Sequence, residues 1–269
     1  MTATRITQCL AARKAEGRTA LVVYLTIGEP NVEESIACAK AALRAGADML
    51  ELGVPFSDPT ADGPVISQAS YRAIHHGGSL KAALRVAREV RAESQAPLVL
   101  FTYYNPVVAF GDDRLPRAAT EAGVDGLLVV DLPPEEGATL REQAAREELA
   151  FIPLVAPTTD RERELKVVAR ASGFVYYVSV TGVTGTGAAP LVEAGREAAA
   201  LSQRVKLPVV VGFGIRSPEN ARAVAAQGAD GVVVGTEVVR VMAAAESPAA
   251  RVAAVETLVK SLRAGLDQK

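Results

Sequence analysis

Three stretches of the chain repeat one pattern, and this repetition decides the fold: Arg44-Ala-Gly-Ala-Asp-Met-Leu-Glu-Leu52, Glu121-Ala-Gly-Val-Asp-Gly-Leu-Leu-Val-Val-Asp131 and Ala226-Gln-Gly-Ala-Asp-Gly-Val-Val-Val-Gly235. In each stretch a glycine closes a helix where the backbone turns left-handed, and a short connector enters an apolar strand. A helix that recurs between successive strands is typical of a parallel sheet. The repeats therefore predict an α/β protein built from helix–strand units.

Apolar runs with the length of buried strands recur along the whole chain, and amphipathic helical stretches separate them. The strands are predicted near 20–26, 48–53, 97–103, 125–131, 150–156, 174–180, 208–213 and 230–235, and the helices include 32–44, 80–92, 135–148, 190–203 and 218–226. Eight such units predict a single-domain (β/α)8 TIM barrel over residues 1–269, with residues 1–16 as an extra N-terminal helix. A doubly wound open sheet is the alternative, but Tyr24-Leu-Thr-Ile-Gly-Glu-Pro30 lacks the glycine fingerprint of that fold.

Composition and charge exclude several classes of protein. The chain has 269 residues, of which 49% are hydrophobic and 22% charged, as is typical of a soluble globular protein. Its net charge of −2 offers no electrostatic footprint for nucleic acid or an anionic membrane. No apolar stretch is long enough to span a bilayer. Cys9 and Cys38 show no pairing pattern, so we expect two free thiols and a cytoplasmic location.

A carboxylate ends the second predicted strand, and a loop with two more acids follows at once: Glu51-Leu-Gly-Val-Pro-Phe-Ser-Asp-Pro-Thr-Ala-Asp-Gly63. Burial of a charge at the end of an apolar strand is costly unless the charge is used or paired. Prolines and glycines limit the shapes that the loop can take. The pattern indicates an active-site carboxylate pair. Asp58 and Asp62 could instead fill turn or helix-capping roles, but those roles would not explain Glu51.

Glycine-rich segments follow the last three predicted strands. Active sites of barrels form at the carboxyl ends of the strands, and the loops after strands seven and eight often bind phosphate through backbone N–H groups. Gly212-Phe-Gly214 and Gly235-Thr236 lie at those two places, and Thr181-Gly-Val-Thr-Gly-Thr-Gly187 is long enough to be a lid. Together they predict a phosphate site held mostly by backbone dipoles, although a glycine after a strand is usually only a turn.

Other chemistry-bearing residues are better explained by structure. His75 and His76 are the only histidines and have no acidic or thiol partners at metal-binding spacing, so we interpret them as an exposed helix end and predict no metal site. Cys38 is interpreted as a small core residue. Phe56, Phe101 and Tyr103 could be ordinary core, or they could form an apolar slot for a flat ring beside the acids. The residues alone leave both alternatives open.

Several motifs resemble the tryptophan synthase α subunit family, and they fall in order across nearly the whole chain. The longest is Leu50-Glu-Leu-Gly-Val-Pro-Phe-Ser-Asp-Pro-Thr-Ala-Asp-Gly-Pro64, and the others are Thr102-Tyr-Tyr-Asn-Pro106, Val129-Val-Asp-Leu-Pro-Pro-Glu-Glu136, Ser179-Val-Thr-Gly-Val-Thr-Gly185 and Val211-Gly-Phe-Gly-Ile215. The family has a (β/α)8 barrel, in agreement with the fold inferred from the repeats. The resemblance implies a carbon–carbon lyase, without a metal or organic cofactor of its own, that cleaves indole-3-glycerol phosphate to indole and glyceraldehyde 3-phosphate in a retro-aldol reaction.

The resemblance also implies a role for each candidate residue. Glu51 would protonate the indole ring at C3 and help to remove the proton of the glycerol hydroxyl, and Asp62 would accept a hydrogen bond from the indole N–H. Tyr176 would orient Glu51. The remaining assignments are Gly185, Gly214, Gly235 and Thr236 for the phosphate, Phe101, Tyr103 and Leu128 beside the indole, and Pro55 and Asp58 at a partner interface.

The partner that the resemblance implies is a tryptophan synthase β subunit in an α2β2 heterotetramer. The β subunit would use its pyridoxal phosphate to join indole to serine, and we expect weak activity of the chain alone with activation by the partner. Three alternatives remain. Another phosphate-binding barrel enzyme would need a Schiff-base lysine or a metal cluster, neither of which the sequence suggests. A non-catalytic regulatory subunit would be free to lose Glu51, Asp62 and Tyr176, which are all present. A free-standing lyase would release indole without a partner.

Overall fold

The computed structural model describes residues 4–133, 135–169, 171–178, 189–212 and 214–268. The strands are β1 (Ala20–Thr26), β2 (Met49–Gly53), β3 (Leu98–Thr102), β4 (Gly126–Val129), β5 (Ala150–Phe151), β6 (Leu154–Val155), β7 (Val175–Val178), β8 (Val209–Gly212) and β9 (Gly231–Val234). The helices are α1 (Arg5–Ala15), α2 (Val32–Arg44), α3 (Pro64–His75), α4 (Leu80–Arg91), α5 (Tyr104–Phe110), α6 (Leu115–Glu121), α7 (Ala138–Arg146), α8 (Arg161–Val168), α9 (Ala189–Val205), α10 (Pro218–Ala225), α11 (Thr236–Ala244) and α12 (Pro248–Asp267).

All strand pairs are parallel, and the sheet order is β5-β4-β3-β2-β1-β9-β8-β7-β6. β5 and β6 are two pieces of one extended stretch, because Pro153 has no N–H to offer to a ladder. On one side of this stretch the N–H of Ile152 donates to the carbonyl of Leu127, and on the other the N–H of Tyr176 donates to the carbonyl of Pro153, both at 2.9 Å. The stretch therefore borders both β4 and β7 and closes the ring, which confirms the predicted (β/α)8 barrel.

Every predicted strand contains an observed one, and the predicted helices agree with small shifts at their ends. Among the helices after the first strand the largest shift is in α7, which begins at Ala138 instead of residue 135. The reason is local: the N–H groups of Glu136 and Gly137 both donate to the carbonyl of Pro133 and form a turn before the helix. The extra N-terminal helix is also present, as α1.

The aspartate common to the three repeats has one structural task. In each repeat it lies just before a strand, and one of its carboxylate oxygens accepts the N–H at the start of the preceding barrel strand. The pairs are Asp48 with Leu21 (2.8 Å), Asp125 with Leu98 (2.9 Å) and Asp230 with Val209 (2.9 Å). Ion pairs with Arg263, Arg91 and Lys14, respectively, offset the charges. These acids therefore hold the amino ends of the strands together and belong to the scaffold.

Alternate residues of each strand point into the barrel or outward beneath the helices. In β1, Val22 and Tyr24 belong to the inner cluster, whereas Leu21, Val23 and Leu25 pack with the helices outside. The other inner residues include Met49, Val99, Phe101, Leu128, Ile152, Phe174, Tyr176, Val210 and Val233, and Ile6 and Leu10 of α1 pack against the amino end of this cluster. The interior is therefore a filled core in which any carboxylate would be desolvated.

Several smaller predictions can be checked on the same fold. Cys9 and Cys38 are free thiols, and Cys38 is buried in the outer core as predicted. His75 ends α3 and His76 follows it, both exposed, which confirms the interpretation as a helix end. Within the described ranges, no helix combines the length and the apolar character that a membrane span requires.

Candidate active site

A narrow cavity lies at the carboxyl end of the barrel strands, where this fold places its active sites. Its volume is ≈ 30 Å³, enough to admit water to the buried groups that line it. The lining residues are Tyr24, Glu51, Asp62, Ile66, Phe101, Tyr176, Gly214, Ile215, Val233, Gly235 and Thr236. The cavity therefore brings together the acids, two of the aromatic rings and three of the phosphate-loop residues that the sequence singled out.

Glu51 lies inside the barrel near the end of β2 and is completely buried. Neither carboxyl oxygen has a hydrogen-bond partner among the residues that the structure describes. Because burial disfavours the charged form, the pKa of Glu51 is raised to about 8. At neutral pH the side chain is therefore mostly a neutral carboxylic acid, which can donate a proton to a bound molecule.

Asp62 enters the same cavity from the loop between β2 and α3. Its Oδ2 accepts a hydrogen bond of 3.1 Å from the hydroxyl of Tyr103, and that hydroxyl accepts one of 3.1 Å from the N–H of Ala61. Burial raises the pKa of Asp62 to about 6, and the hydrogen bond from Tyr103 limits this rise because it favours the charged carboxylate. The two carboxyls of the cavity therefore differ at neutral pH, with Asp62 ionised and Glu51 protonated, which suits them to different tasks.

Replacement of Tyr103 by phenylalanine is expected to raise the pKa of Asp62 by about one pH unit, because a hydrogen bond to a carboxylate favours its charged form. The measurement is a titration of the Asp62 carboxyl carbon by NMR. Tyr104→Phe is the matched control, since the Tyr104 hydroxyl contacts Asp112 outside the cavity. An unchanged Asp62 titration in the Tyr103 variant would contradict the role assigned to this bond.

Aromatic rings form one wall of the cavity. Phe101 meets Tyr24 and Tyr176 edge-on, with ring centroids 5.4 and 6.3 Å apart. The hydroxyl of Tyr176 fills the space above Gly212, where a Cβ would lie 2.0 Å from the oxygen. Burial, reinforced by the charges of Glu51 and Asp62, raises the pKa of Tyr176 well above its ordinary range. Its phenol therefore stays protonated and can donate a hydrogen bond beside Glu51.

The other two residues predicted to flank a ring do not line the cavity. Tyr103 reaches it through Asp62, and its ring lies against Phe56 with 5.4 Å between the centroids. Leu128 is fully buried in the inner cluster of the barrel. Of the alternatives left open by the sequence, the cavity wall therefore fits Phe101, whereas Phe56 and Tyr103 stabilise the loop that carries Asp62.

Gly214, Gly235 and Thr236 contribute backbone groups to the wall of the cavity. Gly214 has a φ of +82°, which favours glycine, and Gly235 is the N-cap of α11 with no side-chain cap of its own. The first helical residue is Thr236, so the unpaired N–H groups and the positive end of the α11 dipole are directed toward the cavity. This arrangement suits an anion. Gly185, the remaining predicted phosphate contact, lies outside the described residues.

Pro55 and Asp58 lie apart from the cavity on the loop that leads to Asp62. Pro55 is buried, and its Cγ would be 2.9 Å from a Cβ placed on Gly78. Asp58 is exposed, and its carbonyl accepts the N–H of Thr60 in a tight turn. The exposure of Asp58 is compatible with a partner interface, and the interface role of Pro55 and Asp58 stays a prediction.

Tyr24 is a cavity residue that sequence reasoning missed, together with Ile66, Ile215 and Val233. The residues that the sequence singled out lie at or after the ends of the second and later strands, so none of them comes from the first strand. A usable signal was present, because alternation along β1 places Tyr24 on the inner face, and the strand register then pairs it with Glu51.

A larger groove, of ≈ 740 Å³, lies at the opposite, amino end of the barrel. Its walls carry surface charges that already pair with one another, such as Arg18 with Asp267 at 2.8 Å. The strands of a barrel present their catalytic side chains at the other end. We therefore assign the chemistry to the smaller cavity that contains Glu51 and Asp62.

Comparison with known proteins points to a single family. Residues 10–267 match the family model described as the tryptophan synthase alpha chain. The structure is similar to that of tryptophan synthase subunit alpha from Legionella pneumophila str. Paris, with 36% sequence identity, a TM-score of 0.89 and 98% of each chain covered. It is also similar to tryptophan synthase from Mycobacterium tuberculosis in an aminoacrylate-bound form, with 33% identity, a TM-score of 0.85, and 98% of this chain and 100% of that chain covered.

Proposed function

Because this chain belongs to the tryptophan synthase alpha chain family, we propose that it is a carbon–carbon lyase that cleaves indole-3-glycerol phosphate to indole and glyceraldehyde 3-phosphate. One observation carries the assignment of the chemistry to this cavity. A fully buried carboxyl that is protonated at neutral pH, Glu51, shares the cavity with an ionised one, Asp62. An aromatic ring that must be protonated on carbon and stabilised as a cation needs both of these groups.

A single acid, Glu51, performs both proton transfers of the reaction. The Glu51 carboxyl gives its proton to C3 of the indole, and the bond from C3 to the first glycerol carbon then breaks, with its electron pair returning to the ring to restore neutral aromatic indole. The O–H electrons of that carbon's hydroxyl become the second bond of the new aldehyde, and the hydroxyl proton passes to the Glu51 carboxylate. Glu51 thus ends as it began. A pKa of about 8 is suited to a group that donates and then accepts a proton near neutral pH.

The surrounding residues place the substrate around Glu51. Asp62 accepts the indole N–H and offsets the positive charge of the protonated ring, while Phe101 forms the wall for its flat face. Tyr176 donates toward Glu51 when that carboxyl is charged. Gly214, Gly235 and Thr236 supply N–H groups and a hydroxyl to the phosphate, together with Gly185. Tyr103 and Leu128 support the indole side, Tyr103 through Asp62 and Leu128 from the barrel core.

A partner subunit completes the proposal. The Mycobacterium tuberculosis structures to which this chain is similar are of tryptophan synthase. We infer that this chain assembles with a β subunit in the cytoplasm as an α2β2 heterotetramer, that the loop carrying Pro55 and Asp58 faces that subunit, and that the partner uses pyridoxal phosphate to convert the indole. The chain itself uses no cofactor in this scheme, because the proton transfers require only its carboxyl groups.

The test is indole release from indole-3-glycerol phosphate by the purified protein, with and without a β subunit. Slow release that rises sharply with the partner is the expected result. Fast release by the chain alone would instead establish a free-standing lyase. No release under either condition, with the fold intact, would overturn the proposal in favour of a regulatory subunit.

A further inference from the structure

Tyr24 lines the cavity but has no part in the chemistry proposed above. It lies on β1 beside Glu51 of β2 in the strand register, and only 5% of its surface is exposed. Its ring meets Phe101 edge-on, with 5.4 Å between the centroids. The phenol therefore lies between Glu51 and Phe101, the acid and the aromatic wall that the proposed function places against the substrate.

Two glycines fix the direction of the Tyr24 side chain. A Cβ on Gly235 would lie 3.2 Å from the Cβ and Cδ1 of Tyr24, and a Cβ on Gly53 would lie 2.3 Å from its hydroxyl oxygen. The Cβ of Tyr24 thus lies against the residue that follows β9, and its hydroxyl lies over the last residue of β2. The ring spans the distance between the proposed phosphate side of the cavity and the strand that carries Glu51.

The Tyr24 hydroxyl is a neutral donor in this position. Burial, together with the negative charges of Asp62 and Glu51, raises the pKa of Tyr24 well above its ordinary range, and the hydroxyl of Thr26 acts in the opposite direction. A buried phenol gains most from a partner that accepts its proton in a hydrogen bond. The substrate offers such a partner, because the carbon chain between its ring and its phosphate carries hydroxyl oxygens.

We propose that the Tyr24 hydroxyl hydrogen-bonds an oxygen of the three-carbon chain of the substrate and makes the site selective for a hydroxylated chain. The inference rests on the proposed function, which places the ring at Phe101 and the phosphate at Gly235. Tyr24 spans the segment between those two ends. A site built to bond a hydroxyl rejects a ligand that lacks it more strongly than an apolar wall does, since its own polar group then loses a partner.

The experiment compares two ligands on paired variants. Indole-3-glycerol phosphate carries the hydroxyls, and 3-(indol-3-yl)propyl phosphate has the same ring and phosphate without them. Dissociation constants are measured by calorimetry in the Glu51→Gln background, which prevents turnover, with and without Tyr24→Phe. Loss of the Tyr24 hydroxyl is expected to weaken binding of the hydroxylated ligand about fivefold and to strengthen binding of the propyl ligand, which then leaves no buried phenol without a partner.

Tyr177→Phe is the matched control, because Tyr177 follows Tyr176 on β7 but packs outward with the helices. It is expected to change neither dissociation constant. Equal weakening of both ligands by Tyr24→Phe would overturn the inference and show that Tyr24 only shapes the cavity, and no weakening of either would overturn it as well. If the wild-type chain and its β-subunit complex release no indole, the proposed function fails first, independently of Tyr24.

Discussion

The Glu51→Gln variant is expected to lose indole release by a factor of at least about 10³, since general acid–base catalysis contributes about 10²–10⁴ and this residue performs both proton transfers. Glutamine keeps the shape of the side chain but cannot give a proton to C3 of the indole. The measurement is a single-turnover assay with indole-3-glycerol phosphate. A variant that kept most of the wild-type rate would remove Glu51 from the role of acid.

Two comparisons make the loss specific to chemistry. Binding of 3-(indol-3-yl)propyl phosphate is expected to survive in Glu51→Gln, because the aromatic wall and the phosphate groups are unaltered. Asp58→Asn is the matched control for removal of a carboxyl, since Asp58 is exposed on the loop after β2. That variant is expected to cleave the substrate at the wild-type rate when assayed without a partner.

The same Glu51 variant reports on the buried acid without any substrate. The folded-state pKa of about 8 lies above the unfolded value near 4.5, so the native state binds more protons between those two pH values. The contribution of Glu51 to the unfolding free energy is therefore fully present below about pH 4.5. Between that pH and about pH 8 it falls by about 1.4 kcal/mol per pH unit. Glutamine carries no such cost. Relative to the wild-type chain, the unfolding free energy of Glu51→Gln is expected to be unchanged at pH 4 and higher by about 3 kcal/mol at pH 7 in denaturant titrations.

The fold could be read from the sequence because its cause is local and repeated. A glycine that closes a helix, such as Gly46, and the apolar run after it identify one helix–strand unit without reference to the rest of the chain. Eight such units can bury both faces of their strands in only a few arrangements. The split of the fifth strand into β5 and β6 was visible only as Pro153. The shared aspartate of the repeats was equally visible, but its task depends on the neighbouring strand and on a distant arginine or lysine.

The candidate site was predictable in part for a similar reason. Glu51 stands out because a charge within an apolar run has a cost that the sequence itself displays. Tyr24 does not, because a tyrosine in a strand is ordinary and only the packing against Gly53 and Gly235 reveals where its hydroxyl lies. The bond from Tyr103 to Asp62 joins residues 41 positions apart, so no local pattern indicates it.

Asp62→Asn is expected to lower indole release by about 10²–10³-fold, the loss found when one group that stabilises a developing charge is removed. An amide can still accept the indole N–H through its oxygen, but it has no negative charge to offset the protonated ring. The loss should therefore fall on kcat more than on binding of the propyl analogue, because the ring of that ligand stays neutral.

The pH dependence of the same reaction separates the two acids. In the wild-type chain kcat/KM is expected to fall below about pH 6, as Asp62 becomes protonated, and above about pH 8, as Glu51 loses its proton. The amide of an asparagine does not titrate, so Asp62→Asn should abolish the acid limb and leave the limb near pH 8 in place. Asp112→Asn, at an acid that contacts Tyr104 away from the cavity, should keep both limbs. Unchanged turnover in Asp62→Asn, with both limbs intact, would exclude Asp62 from the mechanism and leave Glu51 to act on a ring whose charge the cavity does not offset.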